Sequence, residues 1–408
     1  LPKDWSSLPI NEVFEFIGTS SFSRNDLNYE VDGDSIYYIH YGDIHATYKN
    51  AVLDFNTEAR IPVLNKSIKP TTYFLKEGDL IIADASEDYD GVGEALEVYN
   101  IADKKVLAGL HTFALRDKDN KTAHGYRAYL FKNPDVKKRL KTIATGSKVY
   151  GISKGNLEKF KITLPPLPEQ QKIAKILSSW DKAIGLQQKL ITNKKQHKKA
   201  MMKKLLIGEL RFKGFSKEWE YVRLDKVGAI LNGLTYKPED VNEKGVLVLR
   251  SSNIKSNKIV LEDKVFVNAN EFNPLKKGDI LICVRNGSRD LIGKNAIISF
   301  ENEGNAFGAF MTVYRSDYND FFVHLFDSDI FKKEVNKNLG ATINSINNGD
   351  LKKFKLPFPQ VEEQKKIALF LSGIDSEING LEKELLGFQK QKQGLMQQLL
   401  TGKIRVRN

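Results

Sequence analysis

The stretch LPPLPEQQKIAKIL (Leu164–Leu177) returns in altered form as FPQVEEQKKIALFL (Phe358–Leu371), 194 residues later. Extended outward without a gap, the repeat aligns residues 157–212 with 351–406, and 21 of the 56 aligned positions are identical. Each copy predicts a short strand, a Pro-containing turn and a long helix, because Pro is tolerated at a helix start but not in the interior. The chain is therefore an internal duplication.

Apolar residues in the second copy recur at alternating steps of four and three, the heptad pattern of a coiled-coil helix. The predicted helix–helix seam comprises Ile173, Leu177, Trp180, Ile184, Ile191, Met201 and Leu205 in the first copy, and Ile367, Leu371, Ile374, Ile378, Leu381, Leu385, Phe388, Leu395 and Leu399 in the second. Lys392 interrupts the second seam. Gln187, Lys194 and Lys198 occupy seam positions in the first, whose middle is predicted to be weaker.

The regions that precede the two predicted helices also resemble each other, but more weakly. LKEGDLIIADAS (Leu75–Ser86) matches LKKGDILICVRNGS (Leu275–Ser288), and GLHTFALR (Gly109–Arg116) matches GAFMTVYR (Gly308–Arg315). Their apolar alternation predicts strands, whereas NPDVKKRL and DSDIFKKEV predict short helices. We therefore predict an α+β fold, in which two pseudo-symmetric α/β domains are separated by two long helices packed as an antiparallel coiled coil.

The predicted boundaries follow from the repeat. They are a first domain at 1–156, a first helical region at 157–212 with its helix at about 168–206, a second domain at 213–350, and a second helical region at 351–408 with its helix at about 361–400. GELRFKGFSKEW follows the first helix, whereas GKIRVRN ends the chain and LPKDW begins it. Tail and head thus resemble two halves of one junction, which predicts a pseudo-twofold axis across the helices.

Composition limits the class of protein. The hydrophobic fraction of 41% and charged fraction of 28% are typical of a soluble globular protein. No apolar run is long enough to cross a membrane, and the first residues lack the pattern of a signal peptide. The single cysteine, Cys283, excludes a disulfide framework, so a cytoplasmic protein is expected. The net charge of +12 favours a polyanionic partner such as nucleic acid.

Taken whole, the chain resembles the specificity subunit of a type I restriction–modification system. The two repeat motifs carry the resemblance, together with the QLLTGKIR ending and the domain stretches GDLIIADASEDYDGVGEA and AGLHTFALR. The resemblance implies two variable target-recognition domains, each recognising one half of a bipartite double-stranded DNA target through the major groove, with the helices fixing the gap.

The resemblance also implies the partners of a chain that has no catalytic activity and binds no cofactor itself. Two methyltransferase subunits bind S-adenosylmethionine and methylate adenine, and two restriction subunits, which use ATP and Mg²⁺, join when DNA is restricted. Two unequal domains predict an asymmetric target. Helices of roughly 35 residues span about 50 Å, which is at most about 15 base pairs between half-site centres.

Catalytic motifs are missing from the sequence. An adenine methyltransferase would need an Asn/Asp-Pro-Pro-Tyr motif, but the only Pro-Pro lies in TLPPLPE at a helix start. Neither the phosphate-binding loop GxxxxGK[ST] nor the dinucleotide-binding motif GxGxxG after a strand is present. Six scattered histidines and one cysteine predict no metal site. Two alternatives stay open: a nuclease that uses the carboxylates of ASEDYDGVGE (Ala85–Glu94), and a coiled-coil adaptor without DNA binding.

Candidate DNA contacts are polar side chains on loops next to predicted strands, for base edges, and beside the helix starts, where Lys148, Tyr150, Asn344 and Ser345 are predicted to contact backbone phosphates. In the first domain they are Tyr41, His45, Lys49, Ser86, His111, Lys148 and Tyr150; in the second they are Arg250, Ser251, Asn253, Lys255, Arg285, Asn286, Ser288, Arg289, Asn344 and Ser345. His111 fits a core histidine nearly as well. The basic run NKKQHKKAMMKKLL (Asn193–Leu206) is either a solvated helix face or a track for DNA.

Overall fold

The computed structural model describes residues 2–30, 35–58, 60–69, 72–339 and 344–406. The chain divides into two compact units, the first formed by residues 1–188 with 383–408 and the second by residues 189–382. Each unit contains a mixed helix–sheet domain and a part of both long helices, so the α+β class is confirmed. None of the helices in the described residues has the length and apolar character needed to cross a membrane.

The first unit contains thirteen strands and five short helices among its described residues. The strands are Ser6–Pro9, Phe14–Ile17, Leu27–Asn28, Tyr37–Ile39, Val52–Asp54, Val63–Leu64, Leu80–Ala83, Ala85–Ser86, Ala95–Tyr99, Val106–Ala108, Thr112–Asp117, Tyr150–Gly151 and Lys161–Leu164. The helices are Ile10–Val13, Tyr41–Ala46, Arg127–Lys132, Pro134–Ile143 and Lys154–Lys159, and the first long helix, Leu167–Leu205, begins in this unit.

The main sheet of the first unit has five strands, with Leu80–Ala83 in its centre. Every residue of that strand is buried, because both faces of the sheet are covered. Leu80 and Ile82 belong to the core cluster that includes the start of the first long helix, whereas Ile81 and Ala83 belong to a cluster on the opposite face. The alternation of strand side chains therefore divides the core into two layers.

The second unit contains eleven strands and four short helices among its described residues. The strands are Glu220–Arg223, Ala229–Asn232, Val241–Leu249, Ile254–Lys255, Lys258–Ile259, Phe266–Val267, Ile280–Cys283, Asn295–Ile297, Ala306–Phe307, Met311–Arg315 and Lys355–Phe358. The helices are Leu224–Val227, Asn319–Phe326, Asp329–Asn338 and Asn348–Lys353, and the second long helix, Val361–Leu399, begins in this unit.

The central strand of the second unit, Ile280–Cys283, repeats the two-layer arrangement. It lies between Met311–Arg315 and Asn295–Ile297, with alternate residues in two core clusters. Arg315 donates two hydrogen bonds to Asp279, at 2.8 and 2.7 Å. In the first unit, Arg116 does the same to Asp79.

The Glu-Gln pair of the repeated motif forms hydrogen bonds that hold the start of each long helix, which explains why the motif recurs there. In the first unit, the side chain of Gln170 donates to the carbonyl of Pro165 at 2.8 Å and accepts from the N–H of Ala123, also at 2.8 Å. Glu169 accepts hydrogen bonds from Trp5 at 3.2 Å and from two nitrogens of Arg405 at 2.8 and 2.7 Å. The helix start is thereby joined to both the head and the tail of the chain.

The second unit builds the same junction from an internal segment. Glu363 accepts from Trp219 at 3.0 Å and from two nitrogens of Arg211 at 2.8 and 2.7 Å. Gln364 donates to the carbonyl of Pro359 at 2.7 Å. In the second unit the Arg and Trp partners of the glutamate, Arg211 and Trp219, lie on one segment of the chain. In the first unit the corresponding partners, Trp5 and Arg405, are 400 residues apart in the sequence.

The long helices contact each other inside each unit. In the first, the rings of Trp180 and Phe388 lie 5.9 Å apart, and Lys392 forms an ion pair with Asp181. The predicted seam residues, all within the described ranges, are buried or half-buried.

In the second unit, the seam lysines of the first helix pair with carboxylates of the second helix. Lys194 lies 2.7 Å from Glu377, and Lys198 lies 2.7 Å from Asp375. The lysines at seam positions are therefore paired across the helices, a compensation that the single-helix pattern did not reveal.

Candidate nucleic-acid interface

The second unit brings separate loop segments together at the end of its central strand. Arg285 forms an antiparallel β-bridge with Ser345, and the N–H of Asn286 donates to the carbonyl of Asn344 at 3.2 Å. Two segments that the sequence predicted separately therefore share one surface. Residues 341–343, in the same predicted contact segment, lie outside the described ranges.

Phe310 joins this surface from the turn before the strand Met311–Arg315. The N–H groups of Val284 and Arg285 donate to the carbonyl of Phe310 at 3.0 and 3.2 Å. The guanidinium carbon of Arg285 lies 5.5 Å from the ring centroid, and Phe310 is 57% exposed. Sequence reasoning missed this residue, although its alignment with His111 marked the position.

The segment around Ser251 contributes unevenly. The Ser251 hydroxyl accepts from the side-chain amide of Asn286 at 3.1 Å, which adds this loop to the surface. Asn253 is fully buried and donates to the carbonyls of Val260 and Asp263 at 3.1 and 2.7 Å. Asn253 therefore shapes the loop from inside.

Two predicted cationic contacts pair with carboxylates of their own loop. Arg250 donates to Asp263 at 2.6 Å, and Lys255 forms an ion pair with Glu262. These pairs are largely exposed, so the charges remain within reach of a phosphate but cannot be counted as unpaired.

Ser288 and Arg289 continue the loop beyond Asn286. The side-chain oxygen of Asn286 accepts from the N–H of Ser288 at 3.0 Å, which turns the chain sharply. Arg289 opens a 3₁₀ turn, Arg289–Leu291, and both residues are exposed. They extend the surface along the chain beyond the Arg285–Phe310 contact.

The first unit gathers aromatic side chains at the corresponding place. Helix Tyr41–Ala46 positions Tyr41, whose ring centroid lies 5.3 Å from that of His111 and 6.5 Å from that of His45. A ring nitrogen of His45 lies 3.0 Å from the carbonyl oxygen of Ala85. His111 is exposed and adopts a φ of 57°, so it lies at a turn outside the core.

The remaining predicted residues of the first unit differ in accessibility. Ser86 is buried and pairs with Tyr150 in a two-stranded ladder, where the ring of Tyr150 lies 5.0 Å from that of Tyr89. Lys148 is exposed in the preceding turn. Lys49 is exposed and donates to the Ala46 carbonyl at 2.6 Å.

Asp84 adds a carboxylate to the first surface that sequence reasoning did not select. Its side-chain oxygen lies 3.5 Å from Nδ1 of His111. Burial raises the pKa of Asp84 above its ordinary value of 3.8, and the nearby His111 opposes that rise. A half-buried carboxylate at this position is suited to accept a hydrogen bond from a base amine such as cytosine N4.

The acidic loop, which suggested a nuclease, is joined by ion pairs to two neighbouring helices, Arg127–Lys132 and Pro134–Ile143. Glu94 pairs with Lys132 and Lys137, each at 2.6 Å, and Asp90 pairs with Lys141. Burial disfavours the ionised form of Glu94, but the two lysines outweigh burial and lower its pKa from 4.5 to about 2. Within the described ranges, no three His, Cys, Asp or Glu side chains are grouped to hold a metal ion.

The basic run of the first long helix is partly neutralised. Its paired lysines are Lys194, Lys195 and Lys198, which pair with Glu377, Glu382 and Asp375 of the second long helix, and Lys204, which lies 3.7 Å from Glu209. Lys199 and Lys203 are exposed on the same helix. The run is therefore a mixture of helix-pairing and solvated charges.

The two units build their surfaces from corresponding segments but with unlike side chains. In both units three segments meet: the end of the central strand, the turn before the strand that neighbours it in the sheet, and the segment before a long helix. Tyr150 and Asn344 are separated by the same 194 residues as the repeated motifs, and His111 and Phe310 occupy equivalent positions in the matched stretches GLHTFALR and GAFMTVYR. One surface presents aromatic, imidazole and carboxylate groups, whereas the other presents a guanidinium, amides and a phenyl ring.

The family model described as "Type I restriction modification DNA specificity domain" matches residues 2–194 and 216–386. The chain is 35% identical over 305 residues to the type I restriction enzyme MjaVIII specificity subunit of Methanocaldococcus jannaschii, covering 69% of this chain and 71% of that one. It is 30% identical over 431 residues to the putative MjaX specificity subunit of the same organism, covering 100% of this chain and 95% of that one.

Solved structures give the same fold. The S subunit of a type I restriction–modification system from M. genitalium aligns with a TM-score of 0.57 at 16% identity, covering 97% of this chain and 96% of that one. A chain from a structure concerning complex assembly and conformational transition of the type I R-M system aligns with a TM-score of 0.59 at 17% identity, covering 98% of both chains.

Proposed function

Because the chain belongs to the family of type I restriction–modification specificity subunits, we propose that it recognises a bipartite, asymmetric DNA sequence with one half-site per unit. One observation supports this proposal above all others. Each unit builds a surface at the same place in its fold, and the two surfaces carry different hydrogen-bonding groups. Base edges differ in their donor and acceptor pattern, so unlike surfaces select unlike half-sites.

The long helices are proposed to pair as an antiparallel coiled coil with a pseudo-twofold axis, and so to fix the gap between half-sites. Within the first unit, the early part of the first helix pairs with the late part of the second, as Asp181 and Lys392 do. Within the second unit, the late part pairs with the early part, as Lys198 and Asp375 do. Charged pairs at seam positions specify helix register and direction.

Catalysis is assigned to partners. We propose that this chain docks two methyltransferase subunits, which bind S-adenosylmethionine and methylate adenine, and two restriction subunits, which use ATP and Mg²⁺, in the cytoplasm. The carboxylates Glu94 and Asp90 are held in ion pairs with lysines, which favours a structural role for the acidic loop over a nuclease site.

Co-expression with the methyltransferase partner, followed by mapping of methylated adenines across the host genome, tests the proposal. The expected result is a single motif made of two different half-sites separated by a gap of fixed length. A continuous or palindromic motif, or no motif at all, contradicts the proposal. DNA cleavage by the purified chain alone would instead support the nuclease alternative.

A further inference from the structure

We propose that Arg285 and Phe310 act as one recognition element, in which Arg285 binds a guanine and the Phe310 ring contacts the methyl group of a neighbouring thymine. This inference rests on the proposed function, because it assigns base chemistry to a surface already proposed to bind DNA. It adds Phe310, which was not among the residues selected from the sequence, and it assigns a guanine and an adjacent thymine as the bases that the two side chains recognise.

The turn that carries the exposed phenyl ring is held in position by its backbone and by the following residue. Its backbone carbonyl accepts hydrogen bonds from the N–H groups of Val284 and Arg285 at 3.0 and 3.2 Å. The next residue, Met311, is only 1% exposed and anchors the turn in the core. A large apolar ring that is 57% exposed on a rigid turn is available to contact another molecule.

The Arg285 guanidinium lies over the ring and keeps its donors available. Its central carbon is 5.5 Å from the ring centroid, within the range of a cation–π contact. Within the described part of the chain, Arg285 forms no ion pair, whereas Arg250 pairs with Asp263 and Arg315 with Asp279. A guanidinium held in this way is suited to donate two hydrogen bonds to O6 and N7 of guanine.

The neighbouring ring selects the second base. In the major groove, the C5-methyl group of thymine is the apolar feature of the base edges, and phenylalanine side chains contact it. Ring and guanidinium are adjacent on the protein, so their targets are adjacent base pairs. Loss of one methyl contact is expected to lower affinity about fourfold.

The chain offers matched controls for this element. The corresponding turn of the first unit carries His111 beside Tyr41, so no guanine–thymine preference is assigned to that half-site. Phe300 is 75% exposed in the second unit and lies outside this surface, so F300A removes an exposed ring without touching the element.

The test uses the full complex with the methyltransferase partner and a duplex carrying the mapped target. Each thymine of the target is replaced in turn by deoxyuridine, which lacks only the C5-methyl group, and dissociation constants are measured. For the wild-type complex and for F300A, one thymine next to a guanine is expected to show about a fourfold loss. The F310A complex is expected to bind more weakly and to lose that sensitivity, whereas F310L retains part of it.

Three results overturn the inference while leaving the proposed function intact: a target without adjacent guanine and thymine in one half-site, a wild-type complex indifferent to every replacement, or F310A with full sensitivity. Specific binding of the wild-type complex is measured first on the intact target against a scrambled duplex. Equal affinity for the two duplexes overturns the proposed function as well, so the two failures are distinguishable.

Discussion

Substitution of Lys392 by Met tests whether the charged seam pairs hold the long helices together. The side chains of Lys392 and Asp181 are 14% and 13% exposed, so their ion pair is largely removed from water. Removal of one partner from a buried pair costs about 3–5 kcal/mol, because the remaining charge is left uncompensated. Asp181 keeps one hydrogen bond, from the hydroxyl of Tyr129 at 2.5 Å, so we expect the lower end, about 3 kcal/mol.

The assay is urea unfolding of the whole chain, followed by hydrogen exchange of peptides from residues 167–188. Asp181→Asn is expected to cost a similar amount, and the double variant to be at least about 1.5 kcal/mol more stable than the sum of the single effects. Lys390→Met, at an exposed position of the same helix, serves as the control and should change stability by less than about 0.5 kcal/mol. Additive effects of the Lys392→Met and Asp181→Asn substitutions would refute the reasoning.

Further predictions follow from ion pairs and exposed charges. E94Q should lower the free energy of unfolding by roughly 1–3 kcal/mol at pH 7, because the pKa of Glu94 is depressed in the fold; the difference between E94Q and wild type should disappear as the pH falls from 4.5 through about 2 in acid titrations. D79N should destabilise the first unit and D279N the second by about 3 kcal/mol each, because both carboxylates are buried against an arginine. Hydrogen exchange measures this, and loss of protection in the unit that was not altered contradicts the prediction. If the exposed lysines 199 and 203 track DNA, each Lys→Gln change should lower the slope of log affinity against log salt by about one, and an unchanged slope assigns them to solvent.

The sequence was informative where the physics is local and periodic. The heptad spacing indicated two long helices because apolar side chains seven residues apart must share one face. The matched stretches around Asp79 and Asp279 indicated two related domains, and both carry the same arginine–aspartate pair. These features depend on neighbours in the chain or on repetition, both of which are visible without coordinates.

The sequence was less informative where partners are distant in the chain. Lys392 interrupted an apolar pattern, and only the contact with Asp181 explains it. Nothing within GAFMTVYR distinguished Phe310 from the apolar residues around it, but the turn places its ring at the surface beside Arg285. Asn253 was predicted to be accessible in a polar loop, yet its side-chain amide donates hydrogen bonds to two backbone carbonyls inside the loop. Such assignments depend on tertiary contacts that no short pattern encodes.

The central claim, one half-site per unit, is tested most directly by mapping methylated adenines for variants altered in one surface at a time. R285A in the second unit and H111A in the first are each co-expressed with the methyltransferase partner. The account predicts that each variant relaxes base preference in a different half of the motif, while the other half and the gap stay unchanged. Relaxation of the same half by both variants, or a change in the gap, would contradict it.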